Sequence, residues 1–109
     1  MTVRYSKEGI YSISSEGHAG LVPNGKNIVC ASVSTLMLAL WVGLEEILEL
    51  GGVKKNIDRN KPEMSFEWDP AVPEVKVLAR TIAASLKALA DSYSDRIKYR
   101  EINQEDRQA

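Results

Sequence analysis

Residues 36–42, Leu-Met-Leu-Ala-Leu-Trp-Val, form an unbroken apolar run in the middle of a 109-residue chain. The flanking residues extend it into a helix. Asn27 suits an N-cap, Ile28, Val29 and Cys30 fill the opening turn, and Gly51-Gly52 offers a stop. The spacing predicts a helix over 28–50 that is apolar on nearly every face, so it must be covered on more than one side. A chain of this length builds one core of moderate size. One sheet face leaves part of such a helix bare, and a second copy of the chain is expected to cover it. Seven apolar residues fall well short of the ~20 that a membrane span needs. The first ten residues hold no apolar stretch of signal-peptide length. The expectation is a soluble, cytoplasmic protein without membrane contact.

Around this helix the pattern changes period. Residues 2–5 and 10–15 read as strands joined by a turn at Ser6, Lys7, Glu8 and Gly9. Residues 19–26 contain Gly20, Pro23, Asn24 and Gly25 and read as an exposed loop. Residues 53–57 and 64–68 read as a hairpin, with Met64, Phe66 and Trp68 on one face. Pro73 suits the first position of a second helix, in which Val75, Leu78, Ile82, Leu86, Leu89 and Tyr93 recur at steps of three and four. Residues 97–102 read as a last strand, and 103–109 as a polar tail. The order β-β-α-β-β-α-β predicts an α+β fold over 1–102: a two-layer sandwich of a mostly antiparallel sheet with both helices on one face.

Fourteen Lys and Arg against fifteen Asp and Glu leave a net charge of −1. That is not the clustered basic surplus on which direct nucleic-acid binding rests. One cysteine and one histidine exclude an internal disulfide and a self-contained Cys/His zinc site. No metal or organic cofactor is implied. Ser32, Ser34 and Thr35 are expected to bond back to helix carbonyls, and Trp41, Phe66 and Trp68 to serve core or dimer contacts.

His18 and Cys30 are the pair that looks chemical. His18 follows a strand, and Cys30 lies in the first turn of the next helix. The opening N–H groups of a helix have no acceptors inside it, and its dipole places positive charge there. A thiolate is favoured at such a site, and a nearby imidazole accepts its proton. The N–H groups of Ile28, Val29, Cys30 and Ala31 are candidates for holding an oxyanion, and Ser34, one turn on, for supporting the thiolate. Spacing alone also allows a bland reading, with Cys30 a small core residue and His18 a turn residue.

Gly17-His18-Ala19-Gly20, followed by Gly25-Lys26-Asn27-Ile28-Val29-Cys30-Ala31-Ser32-Val33-Ser34, resembles the signature of the ribosomal-processing cysteine protease family Prp. The likeness extends to chain length and element order. It implies a homodimeric cysteine endopeptidase that removes the N-terminal extension of a large-subunit ribosomal protein of the L-twenty-seven type during ribosome assembly, cutting after an aromatic residue. His18 matches the general base and Cys30 the nucleophile. Gly17, Ala19, Gly20 and Gly25 match the active-site loop, and Ser34 the serine after the cysteine. Family members usually carry Asp where this chain has Asn27. Asn can cap the helix and orient a histidine, but it brings no negative charge. The alternative is a non-catalytic, dimeric protein that binds a ribosomal protein tail or a ribosome surface.

Overall fold

Gly9 takes a φ of 117°, a left-handed conformation that costs glycine little. This reversal folds β2 (Gly9–Ser15) antiparallel onto β1 (Thr2–Ser6). The computed structural model describes residues 1–16, 28–58 and 63–104. Within them, β3 (Lys54–Asp58) and β4 (Glu63–Glu67) pair antiparallel, β4 pairs with β2, and β5 (Arg100–Asn103) runs parallel to β1. The sheet order is β3-β4-β2-β1-β5.

The register sorts the two faces. Val3 lies opposite Ile13, and Ile13 opposite Phe66. All three are buried and, with Ile10 of β2, form the sheet's share of the core. Helix α1 (Ile28–Val42) adds Val29, Val33, Met37 and Leu40, and α2 (Pro73–Ser92) adds Val75, Ala79, Ile82, Ala83, Leu86 and Ala90. The two-layer α+β sandwich and its element order are as the sequence predicts. Met64 is half-buried beside buried Phe66 and Trp68, and the Trp68 indole N–H donates to the Ile10 carbonyl at 3.0 Å. Trp41 stacks on Phe66 with ring centroids 5.2 Å apart, and the Lys55 ammonium lies 4.7 Å from the centre of the Trp41 ring.

Four details differ from the sequence reading. The first helix is α-helical only to Val42 and continues as a wider π-helix over Gly43–Ile47. Gly43 stands where the two helices meet, and a Cβ there would lie 2.6 Å from Leu78 Cδ2. The first left-handed residue after this segment is Glu49, with φ 49°; of the expected Gly51-Gly52 stop, Gly52 is left-handed too, with φ 75°. The last strand begins at Arg100, because Ile97 is used as a core residue below the end of α2. Asn103 closes that strand instead of opening the tail; residues 105–109 lie outside the described residues.

By length and composition the 20 residues Ile28–Ile47 could cross a membrane, a possibility that counting the unbroken run alone had set aside. In the fold a third of this stretch is buried, and Glu45 and Glu46 stand on its exposed side.

Candidate active site

Helix α1 begins at Ile28, so Cys30 lies in the first turn, as its spacing from Asn27 predicts. The turn is oriented by alternation of burial. Val29 enters the core at 3% exposure, Ile28 stands 68% exposed, and Cys30 between these directions is half-buried. No acidic side chain occupies this turn. Ala31 and Ser34 are exposed on the following residues. Ser32 and Thr35 donate to the carbonyls of Ile28 and Ala31, each at 2.8 Å. Ser34, expected to do the same, makes no such bond, and its hydroxyl stands one turn beyond Cys30. His18, Asn27, Gly17, Ala19, Gly20 and Gly25 lie outside the described residues.

One groove reaches this region. A shallow groove of about 690 Å³ between the helices is lined by Ile28, Ala31 and Leu36 of α1 and by Ser85, Ala88 and Leu89 of α2. It therefore starts at the residues flanking Cys30. On the other face of the sheet, β2 ends in a polar clamp that the sequence reading missed. The Thr2 hydroxyl donates to Glu16 Oε1, and Arg100 donates to Thr2 Oγ1 at 3.0 Å while its guanidinium lies 3.6 Å from the same carboxylate. Thr2 is fully buried. The clamp ties β1, β2 and β5 together at the residue before Gly17. The sheet register brings Thr2 beside both Ser14 and Arg100, and that pairing could not be read from separate strands.

The Prp family profile matches residues 1–98. The chain belongs to the Prp family of cysteine proteases. Its fold is similar to that of SMU.848 from Streptococcus mutans, at 25% identity and a TM-score of 0.82 over 94% of this chain and 92% of that one. It is also similar to the ribosomal processing protease Prp of S. aureus. That protein is known in complex with a covalently linked product peptide, at 23% identity, and with a substrate peptide, at 21% identity. Both comparisons give a TM-score of 0.74 over 92% of this chain and 97% of the other. No curated protein sequence matches the chain. The chain has a single cysteine, Cys30.

Proposed function

We propose that the protein is a cytoplasmic, homodimeric cysteine endopeptidase that removes the N-terminal extension of a ribosomal protein of the L-twenty-seven type during ribosome assembly. The observation that carries this reading is the family match over residues 1–98 together with a single cysteine set in the opening turn of α1. The S. aureus ribosomal processing protease Prp, whose structure holds a substrate peptide, supports a peptide substrate.

The chemistry follows from the residue types. His18 takes the Cys30 proton, and the thiolate attacks the scissile carbonyl. N–H groups at the opening of α1, among Ile28, Val29, Cys30 and Ala31, hold the oxyanion. His18, now imidazolium, protonates the leaving amine, and water then resolves the thioester with His18 again as base. Asn27 orients His18 or caps the helix, Ser34 supports the thiolate, and Gly17, Ala19, Gly20 and Gly25 belong to the active-site loop that the family resemblance implies.

The test is cleavage of a quenched fluorescent peptide spanning the extension of the matching species' precursor, with the cut located by mass spectrometry. Wild type should cleave it and Cys30→Ala should not. Alanine is a good helix former, so the fold of the variant survives. His18→Ala should lose ~100–10,000-fold in rate, the usual worth of general-base help. Equal inertness of wild type and Cys30→Ala would favour the non-catalytic binding protein instead.

A further inference from the structure

The sheet face turned away from the helices carries a polar cleft of about 500 Å³, floored by Ser12, Ser14 and Ser65 and walled by Arg4, Glu63 and Glu67. The register explains its shape. Ser14 pairs with Ser65, and Ser12 lies between Arg4 and Glu67, so small side chains occupy the middle and charged ones the rim. Its charge is one-sided. Glu63 and Glu67 are exposed and have no ion-pair partner among the described residues, although Lys54 is cross-strand from Glu67. Arg4, the one cation in the lining, is turned onto Ser14 Oγ at 3.3 Å. A second observation is independent of charge. Ser12 is only 5% exposed, and its hydroxyl makes no hydrogen bond within the described structure. A buried hydroxyl without a partner is costly and calls for a ligand to satisfy it. Ser15 and Glu16 line the same cleft, at the point where the chain leaves β2 toward His18, two residues on.

We infer that this cleft binds a cationic stretch of the peptide substrate, seating Lys or Arg side chains against Glu63 and Glu67 while Ser12 bonds the peptide. The inference rests on the protease reading and adds a specificity surface to it.

The test uses Cys30→Ala protein, which holds the peptide without turning it over, and two fluorescein-labelled peptides spanning the precursor's cleavage site. One keeps its lysines and arginines; the other has each replaced by glutamine. Anisotropy titration should show the glutamine peptide binding about tenfold more weakly, as expected for the loss of two partly exposed charge pairs. Glu63→Gln with Glu67→Gln should weaken the cationic peptide by a similar factor and leave the glutamine peptide unchanged. Ser12→Ala should raise the melting temperature while weakening the cationic peptide. Equal affinity for the two peptides, or no effect of the charge variants, overturns the inference. Cleavage of the cationic peptide by wild type, run in parallel, separates the two claims. Cleavage without charge-dependent affinity removes only the docking surface. Charge-dependent affinity without cleavage removes the protease reading and keeps the surface.

Discussion

Asn27 stands one residue before α1 and nine after His18, so it lies between the two parts of the proposed machinery in sequence. An aspartate there would stabilise the imidazolium that forms when His18 takes the thiol proton; asparagine can only orient the ring. Asn27→Asp is therefore expected to raise turnover of the extension peptide severalfold without moving the cut site, measured as kcat at saturating peptide. An unchanged or lower kcat would show that charge at this position does not limit the rate. Such a residue is singled out in the sequence because its neighbours are local: a helix start one residue on, a thiol three residues on, a histidine nine residues before. The clamp of Thr2, Glu16 and Arg100 was not legible. Its members are 14 to 98 residues apart and meet only because β5 pairs in parallel with β1. For the same reason Ser12 looked like any serine of an alternating strand until the register placed it, unbonded, between Arg4 and Glu67.

Elements were legible where periodicity is strong and less so at their ends. The α2 stripe places Val75, Ile82 and Leu86 in the core as its spacing predicts, whereas the end of the first helix depends on a neighbour that no local pattern reveals. Gly43 permits the close approach of the helices at Leu78. Gly43→Val should push Leu78 out of place and cost about 1–3 kcal/mol, the usual penalty of overpacking, read as a lower urea midpoint at unchanged slope. Strand β5 is secured to β1 by a shared carboxylate: Tyr99 donates to Glu101 Oε2 at 2.8 Å and Tyr5 at 3.1 Å. Partial burial first, and then the Glu101 charge and hydrogen bond, push the Tyr99 phenol well above its ordinary value of 10.0, and Tyr5 in the same direction. The folded state thus holds these protons more tightly than the unfolded chain. Their contribution is complete below pH 10 and declines as pH rises from there through the folded values. The melting temperature should fall with pH above about 10, and Tyr99→Phe with Tyr5→Phe should flatten that fall. An identical alkaline slope in the double variant would mean that other groups govern it.

At the scale of the whole molecule, the two-layer sandwich leaves one side of α1 uncovered. Ile28, Ala31, Thr35 and Leu38 follow one another at steps of three and four and are all exposed, Leu38 by 58%. The buried stripe of the same helix, from Val29 through Val33 and Met37 to Leu40, accounts for only part of the apolar run that dominates the sequence. Leu38 of that run joins Ile28 and Ala31 in an exposed ridge that is continuous, at Ile28 and Ala31, with the groove between α1 and α2. A second copy of the chain would cover this ridge by a two-fold axis, so that each residue of the patch contributes twice. Analytical ultracentrifugation at micromolar concentration should then show a species of twice the protomer's 12.1 kDa. Leu38→Glu is the decisive variant. Its position is exposed in the protomer, so the fold tolerates the charge, but in the dimer it removes two buried leucines and inserts two carboxylates. Fully burying one leucine is worth about 1.5–3 kcal/mol, so the pair should cost the dimer about 3 kcal/mol or more. That corresponds to a rise of at least about a hundredfold in the dissociation constant. The variant should sediment as a protomer with an unchanged far-ultraviolet circular dichroism spectrum. A wild-type protein that sediments at 12.1 kDa at the same concentration would leave the ridge of α1 open to solvent and the homodimer would have to be given up.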